Sequence, residues 1–511
     1  MNVLATETLI QIFEHLDNPS DLFHLVQTCS VFHDIAIVML YRHIQYSSSE
    51  SFGAQTAFWQ HAHDGMYGIP RSVALDNVLK HPSQGVWRGD NYHDQDDEAL
   101  QLQIDVWARL LSFTSLHALS ISHCLLPDSE SFSYLLQGCQ SLRKLSIEAC
   151  TFQEEPLVFS GSYGLFPWLP LEELSLLGEN TVYDPLWQDD ASPVDREAGS
   201  FLRLLTVRSI RRLTIDLNTR NCAFLANRTP YSDDISFDNL ETLHLRLTND
   251  TEVDLRMSRD IATFLNVQCA SVNALELLGF AELTSDDFRL RPGALRHLMH
   301  YKGPAAIAPG VTAAGCPLTR LETNDLTMSV SQASSILGKV GRQRSQLECL
   351  DITIQEWDTE ILYAISHLFR DIREVKIKYH RGYPDEAAIV SMPSMFFDKM
   401  DNMTTLHIYN PQSVLPRISH RGYNGIGADL YYMSWGAKYD LGPSASDMVL
   451  ELMAGWSKTC PTLTEVKWEK ERLLCRRSTK REDKWLLAID PEPVEVNSRQ
   501  QRRRRMIDRY W

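Results

Sequence analysis

The sequence predicts an α/β repeat fold in which short parallel strands alternate with helices. The pattern Leu-x-x-Leu-x-Leu, with other apolar residues at some leucine positions, recurs between Leu116 and Val466. Most copies begin roughly 20 to 30 residues after the preceding one, which is close to the length of a repeat that combines one strand and one helix. Because strand and helix alternate, we expect a parallel sheet with the helices covering its outer side.

Two copies, at residues 116–124 and 142–150, carry the full leucine-rich-repeat signature Leu-x-x-Leu-x-Leu-x-x-Asn/Cys. Weaker copies share the apolar triplet and begin at Leu171, Ile210, Leu240, Val272, Leu295, Leu318, Leu347, Ile372, Met403 and Leu463. The predicted fold over residues 111–470 is therefore a leucine-rich-repeat solenoid. Its parallel sheet should lie on the concave side and its helices on the convex side.

The segments between the predicted strands have helical periodicity. In residues 128–139, Phe132, Leu135, Leu136 and Cys139 recur at i, i+3, i+4 and i+7, which places them on one face of a helix. We expect the leucines of the strands and these helical stripes to form the core, because stacked repeats need a continuous apolar spine. Function should then depend on surface residues, insertions and the ends of the chain.

Two intervals between copies are long enough to hold insertions, at about residues 180–200 and 410–445. The second contains aromatic residues set among glycines, namely Tyr423, Tyr431, Tyr432, Trp435 and Tyr439. Tyr and Trp supply large contact areas at low entropic cost, so these five are candidate target-binding residues. The alternative is that the rings pack the loop against the end of the solenoid.

Residues 1–45 lack the strand pattern and predict three short amphipathic helices. Thr6 and Glu7 suit the N-cap and first turn of the first helix, and residues 18–20 separate it from the second. Domains below about 40 residues are seldom stable alone, so we expect a partner protein to cover apolar surface of this module. The alternative is a helical cap that hides the apolar end of the solenoid.

Residues 4–44 resemble an F-box, and the whole chain resembles a fungal F-box protein with leucine-rich repeats. The residues that match the types expected in that family are Leu4, Glu7, Leu9, Ile12, Phe13, Leu16, Asp21, Leu22, Leu25, Cys29, Phe32, Ala36 and Leu40. The family's opening Leu-Pro pair is Leu4-Ala5 in this chain. The resemblance implies that the module docks on the Skp-type adaptor of a cullin-RING (SCF-type) ubiquitin ligase and that the repeats capture a target protein.

Apolar residues on so small a module are the candidates for contact with the adaptor. We assign this role to Leu4, Leu9, Ile12, Phe13, Leu22, Leu25 and Val26. The chain would then be a substrate-receptor subunit. A leucine-rich-repeat scaffold without a ubiquitin role is the alternative function.

Composition narrows the remaining functions. The chain of 511 residues has a net charge of -17, which disfavours nonspecific nucleic-acid binding. Its ten cysteines form no C-x-x-C pair, and several, including Cys124 and Cys349, are expected to face the core, as in proteins of a reducing compartment. We identify no cofactor or metal site and no nucleotide-binding or hydrolase motif, so we expect no enzymatic activity.

The regions outside the repeats complete the predicted organisation. Residues 46–110 are assigned to a linker and first helical cap, and residues 471–511 to a basic C-terminal tail. The sequence has no secretory signal and no long apolar run, so we expect a cytoplasmic protein without a membrane anchor. The tetra-arginine run in the tail is a candidate nuclear-import signal.

Overall fold

The chain divides into two units, residues 1–252 and residues 253–494. A computed structural model describes residues 5–16, 18–79, 92–127, 129–153, 169–178, 181–183, 203–226, 237–247, 255–280, 288–324, 328–343, 346–382, 384, 386–410, 443–468, 473–477 and 485–489. Each unit contains a parallel sheet whose strands are joined by segments that include helices.

The first unit begins with three helices, α1 (Thr6–Glu14), α2 (Pro19–Val26) and α3 (Ser30–Tyr41). Its further helices are Ser49–Gln60, Tyr92–Ser112, Ser129–Gly138 and Thr219–Ala226. Its strands are β1 (His43–Tyr46), β2 (Ser72–Asp76), β3 (Ala118–Ser122), β4 (Leu125–Leu126), β5 (Lys144–Glu148), β6 (Thr151–Gln153), β7 (Glu173–Leu177), β8 (Thr181–Tyr183), β9 (Arg212–Leu217) and β10 (Thr242–Leu247).

The strands of the first unit form two sheets, and every pair in them is parallel. The larger sheet has the order β1-β2-β3-β5-β7-β9-β10, and the smaller has the order β4-β6-β8. Register is regular, since Ser120 of β3 pairs with Ser146 of β5, which pairs with Ser175 of β7. Residues at equivalent positions therefore form rows across the sheet.

The second unit contains the helices Leu255–Gln268, Ala308–Ala313, Val330–Arg342, Glu360–Leu368, Glu386–Met395 and Pro443–Thr459. Its strands are β11 (Ala274–Leu278), β12 (His300–Gly303), β13 (Arg320–Thr323), β14 (Cys349–Glu356), β15 (Glu374–Arg381), β16 (Thr405–Tyr409), β17 (Glu465–Trp468), β18 (Leu473–Arg477) and β19 (Trp485–Ile489). They are hydrogen-bonded in chain order. The pairs from β11 to β17 are parallel, and the last two pairs are antiparallel.

Alternation along each strand separates core from surface. In β3, Leu119 and Ile121 are buried while Ser120 between them is exposed, as expected when successive side chains point to opposite faces. The neighbouring helix Ser129–Gly138 buries Phe132 and Leu136. The core of each unit therefore lies on the side of the sheet that its strand leucines occupy.

The mixed α/β class and the parallel sheet are confirmed. Every predicted copy of the apolar triplet, from Leu116 to Leu463, overlaps one strand of β3, β5, β7 or β9 to β17. Cys124 and Cys349 are both buried as expected, but Cys349 lies on the opposite side of β14 from the core leucines, where its thiol donates a hydrogen bond to Glu374 Oε2 (3.3 Å).

Strands also occur where the sequence analysis assigned none. β1 and β2 lie at residues 43–76, a region largely assigned to the linker and helical cap, and β18 and β19 lie in the region assigned to the basic tail. β1 and β2 escaped the pattern because each buries only two apolar side chains, such as Ile44 and Tyr46, and lacks the leucine triplet.

Candidate functional site

The three N-terminal helices share a hydrophobic core of their own. Its buried members are Leu9, Phe13, Leu22, Ile35 and Ala36, and the residues packed around them all lie between Leu16 and Leu40. The rings of Phe13 and Phe32 make an edge-to-face contact with centroids 5.3 Å apart, a favourable aromatic geometry. Residues 5–41 therefore form a module, which we call the N-terminal module.

The structure separates the predicted adaptor-binding residues into two groups. Leu9, Phe13 and Leu22 are buried in the core of the module, and Leu25 and Val26 are half-buried against it. Ile12 is exposed, with 45% of its surface accessible. Leu4 lies outside the described residues.

Four further apolar side chains of the N-terminal module are exposed and were not among the predicted contacts. These are Ile10, Phe23, Val31 and Val38. These four residues lie outside the most regular apolar stripe of each helix, and most members of those stripes, though not Ile12, pack inward. Val31 and Val38 are seven residues apart in α3 and so share a second helix face, which a search for a second apolar stripe would find.

The ends of the helices differ in how they are capped. Asn18 is the N-cap of α2, and its side chain accepts a hydrogen bond from the backbone amide of Ser20 (3.1 Å). The N-cap of α1 is Ala5, which offers no side-chain acceptor, and Thr6 lies inside the helix rather than at its cap. Glu7 lies in the first turn, as predicted, where its negative charge interacts favourably with the helix dipole.

Aromatic contacts join the N-terminal module to the rest of the first unit. Tyr41 at the end of α3 stacks on Phe58 with ring centroids 4.8 Å apart and meets Trp59 edge-to-face at 5.7 Å. Trp59 is buried and packs edge-to-face on Phe113 at 5.0 Å. These rings form a continuous aromatic cluster that joins α3 to the helix Ser49–Gln60 and to Phe113.

The solvent-facing side of the larger sheet in the first unit carries few charges at its centre. Its middle row consists of small hydroxyl residues in register, Ser120, Ser146, Ser175 and Thr214. The corresponding side of the sheet in the second unit, which we call the second sheet, is densely charged. Its polar pairs are Glu276–Lys302, Arg320–Glu322, Glu374–Lys376, Asp351–Lys378 and His407–Glu465.

The environment of two carboxylates on the second sheet shifts their pKa values in opposite directions. His300, with Nε2 3.4 Å from Glu322 Oε1, and Arg320, with Nε at 2.6 Å, lower the pKa of Glu322 to about 2. Burial raises the pKa of Asp351 above its ordinary value, although Lys378 Nζ lies 2.9 Å from Oδ1. Glu322 is therefore a stable anion, whereas Asp351 depends on Lys378 for its charge.

The other candidate sites give less information. The candidate target-binding residues Tyr423, Tyr431, Tyr432, Trp435 and Tyr439 lie outside the described residues. Within the described ranges, no cluster of three or more His, Cys, Asp or Glu side chains is placed to hold a metal ion. In the same part of the chain, no helix is both long and apolar enough to span a bilayer.

The structure defines an α/β protein with parallel sheets and a separate three-helix module at its N-terminus. Residues 6–46 match the family model described as F-box-like. This match covers the N-terminal module and ends with β1. The search of curated protein sequences found no match to the chain.

Two solved structures resemble the chain distantly. The complex of Rad7 and Elc1 from yeast matches with 11% identity and a TM-score of 0.37, covering 81% of this chain and 91% of that chain. The functional domain of InlJ from Listeria monocytogenes, which includes a cysteine ladder, matches with 12% identity and a TM-score of 0.20, covering 59% of this chain and 64% of that chain. Neither TM-score reaches 0.5, so these likenesses do not establish a shared fold.

Proposed function

We propose that this chain is a substrate-receptor subunit of a cullin-RING ubiquitin ligase of the SCF type. In this role the N-terminal module binds a Skp-type adaptor, and through it a cullin, while the sheet-containing remainder binds a target protein. The observation that carries the proposal is the F-box-like match at residues 6–46. An F-box generally binds a Skp-type adaptor, and this match places no constraint on the target.

The exposed apolar side chains of the N-terminal module support a protein partner at this position. Among the described residues, thirteen large apolar side chains are exposed, and five of them belong to this module: Ile10, Ile12, Phe23, Val31 and Val38. Scattered exposed apolar residues are ordinary, but this density in about 40 residues favours a covered surface. We assign the adaptor contact to these five residues, with Leu25 and Val26 at its half-buried edge and Leu4 retained from the sequence analysis.

A cap for the sheet is the competing role of the N-terminal module. A cap would pack its apolar side chains against the apolar end of the sheet. Leu9, Phe13 and Leu22 instead pack within the module, and the five exposed side chains remain accessible among the residues that the structure describes. A partner protein therefore accounts for them better than a cap does.

For the remainder of the chain, we propose a leucine-rich-repeat solenoid with the sheet on its concave side. The overlap of each apolar triplet with a strand, and the occurrence of helices between many strands, support it. The target would contact the solvent-facing side of the sheet and the aromatic-rich segment that contains Tyr431, Tyr432 and Trp435. Catalysis would come from proximity to the conjugating enzyme within the complex, in the cytoplasm or nucleus, and not from side chains of this chain.

Adaptor capture by the full chain tests the proposal. We expect Ile12→Asp and Phe23→Asp each to weaken binding of a purified Skp-type adaptor at least tenfold, because a charge would be buried against an apolar partner. Val390→Asp is a matched control, since Val390 is 66% exposed in the second unit and is no part of the proposed contact. Its adaptor affinity should equal that of the unmodified protein.

The same measurement separates the alternatives. A full chain that retains no adaptor, under conditions in which an authentic F-box protein does, would remove the ligase role and favour a scaffold protein without a ubiquitin role. Circular dichroism of each variant checks that the loss of binding does not arise from unfolding.

A further inference from the structure

A pocket with charged and polar side chains in its lining opens on the solvent-facing side of the strands β12 to β15. Its volume is about 350 Å³, within the range of about 300 to 1,000 Å³ typical of ligand sites. The pocket is lined by Lys302, Glu322, Thr323, Asn324, Asp351, Thr353, Lys378 and His380, which come from β12, the end of β13, β14 and β15. We call it the β12–β15 pocket.

The acceptors in this pocket are already neutralised. The ammonium nitrogen of Lys378 lies 2.9 Å from Oδ1 of Asp351 and 3.0 Å from its Oδ2. Oε1 of Glu322 lies 2.6 Å from Nε of Arg320 and 3.4 Å from Nε2 of His300. An incoming cation would therefore find no carboxylate without a positive partner.

The donors in this pocket are only partly used. Each lysine ammonium has three N–H groups, and Lys302 is paired with one carboxylate, that of Glu276. Both ring nitrogens of His380 are buried and lack a hydrogen-bond partner among the residues that the structure describes. A buried imidazole without partners is costly, and this cost is relieved when a ligand supplies them.

From this imbalance we infer that the β12–β15 pocket binds a carboxylate side chain of an acidic peptide segment in the target, with Lys302, Lys378 and His380 as its donors. A carboxylate has two oxygens and about four acceptor positions, enough to accept hydrogen bonds from all three of these groups. His380 can donate from the ring nitrogen that carries its proton. The inference rests on the proposed function, because it names the class of target that the receptor takes.

The hydroxyl groups beside these donors fit the same occupant. Thr323 Oγ1 already accepts a hydrogen bond from the backbone amide of Thr353 at 3.2 Å, so its hydroxyl proton is available to a second acceptor. Thr323 and Thr353 are themselves 6% and 5% exposed, which fixes them in the wall of the pocket.

Binding of defined peptides by the full chain tests the inference. The probe is the fluorescein-labelled and C-terminally amidated peptide Gly-Ser-Glu-Ser-Gly, in which the side chain of Glu is the one peptide carboxylate, and its counterparts carry Gln or Lys in place of Glu. We expect saturable binding of the Glu peptide, at least tenfold weaker binding of the Gln peptide and no binding of the Lys peptide. His380→Leu and Lys302→Met should each reduce affinity for the Glu peptide at least fivefold.

A matched control and a spectroscopic readout separate recognition from folding. Lys458→Met removes an exposed lysine of the helix Pro443–Thr459, far along the chain from this pocket, and should leave the affinity unchanged. In protein labelled at its histidine rings, the resonance of His380 should shift with the Glu peptide. The assignment of that resonance comes from its absence in His380→Leu.

Three results would overturn the inference. They are equal affinity for the Glu and Gln peptides, tighter binding of the Lys peptide, or a His380 shift produced by inorganic phosphate and not by the Glu peptide. The last result would indicate a site for a free anion. Because the peptides are measured without adaptor, their failure to bind leaves adaptor capture untouched, and a loss of adaptor capture with intact peptide binding would remove the ligase role alone.

Discussion

The backbone amide of Gly178 donates a 2.7 Å hydrogen bond to Oδ2 of Asp216, whose side chain is buried. At the preceding strand ends, the equivalent amides of Asn77, His123 and Ala149 donate instead to the backbone carbonyl of the next strand. All four donors have a left-handed backbone, with φ of 55°, 53°, 48° and 69° in chain order. Asp216 thus takes the place that a carbonyl has at the earlier strand ends.

Replacing Asp216 should destabilise the first unit. Asp216→Ala leaves the amide of Gly178 without its acceptor and removes the partner of Arg246, whose Nε lies 3.1 Å from Oδ1. We expect the free energy of unfolding to fall by about 1 to 3 kcal/mol, measured by urea denaturation. The control is Glu148→Ala, because Glu148 is exposed on the same sheet, and it should change stability by less than about 0.5 kcal/mol. Equal effects of the two substitutions would contradict the role of Asp216.

The left-handed turn at Gly178 should not tolerate a side chain. In Gly178→Ala the new Cβ would lie 3.1 Å from the Cβ and the amide nitrogen of Ala149, on a backbone with φ of 69°. We expect a loss of about 1 to 2 kcal/mol in the free energy of unfolding. Gly338→Ala is the matched substitution, because Gly338 lies within the helix Val330–Arg342 with open space around it. It should stabilise the protein by about 0.5 to 1 kcal/mol, and a loss there would contradict the comparison.

The sequence predicted the strands well because their signal is local. A leucine triplet such as that of β3 buries Leu119 and Ile121 together with Leu116, so the spacing of the letters reports directly on the sheet. β1 and β2 were missed because each is short and contributes only two apolar side chains. Each is recognised as a strand only by its hydrogen bonds to a neighbouring strand. β18 and β19 were missed for a related reason, since they pair with β17 and with each other as antiparallel strands at the end of the array.

The surface of the N-terminal module was less predictable than its helices. Apolar periodicity locates an inward stripe, and Leu9 and Phe13 follow it, but it does not report which other apolar residues remain accessible after three helices pack. That outcome depends on helix crossing and left Ile10 and Phe23 exposed. The β12–β15 pocket was equally hidden, because Lys302 and His380 are far apart in sequence and are brought together only by strand order.

The pair of Lys378 and Asp351 predicts a pH-dependent effect of mutation. Burial raises the pKa of Asp351, so protonation of this carboxyl stabilises the fold below its ordinary pKa of 3.8, and that contribution is lost as the pH rises. Lys378→Met leaves the Asp351 anion without its partner. We expect a loss of about 1 to 3 kcal/mol at pH 7 and at most half of that at pH 4, measured by urea denaturation.

Lys399→Met is the control for this experiment, because Lys399 is exposed in the second unit. Its effect should stay below about 0.5 kcal/mol at both pH values. A loss from Lys378→Met that is the same at pH 4 and pH 7 would show that the lysine acts through packing and not through its charge.

Substitutions in the core of the N-terminal module should lower its stability more than substitutions on its surface. Phe13 is 4% exposed, and Phe13→Ala removes its contact with Phe32, so we expect the module to lose about 3 kcal/mol of stability or to unfold locally. Ile12→Ala, at the exposed neighbouring position, should have an effect below about 0.5 kcal/mol. Hydrogen exchange of the amides in α1 to α3 of the full chain measures both. Greater exchange in Ile12→Ala than in Phe13→Ala would contradict the assignment of core and surface.

Ala5→Pro should stabilise the start of α1. The backbone of Ala5 has φ of -60° and ψ of 146°, so proline fits without a change of conformation, and the carbonyl that accepts from Thr8 and Leu9 is retained. We expect a gain of about 0.4 to 1 kcal/mol, because proline restricts the unfolded chain. Hydrogen exchange in α1 of the full chain should slow by a corresponding factor of about two to five. Ala36→Pro is the contrasting variant, since Ala36 is buried within α3, and it should break that helix. Faster exchange in Ala5→Pro would show that the amide of Ala5 has a required acceptor, and the Leu4-Ala5 pair would then be needed for the fold of this module.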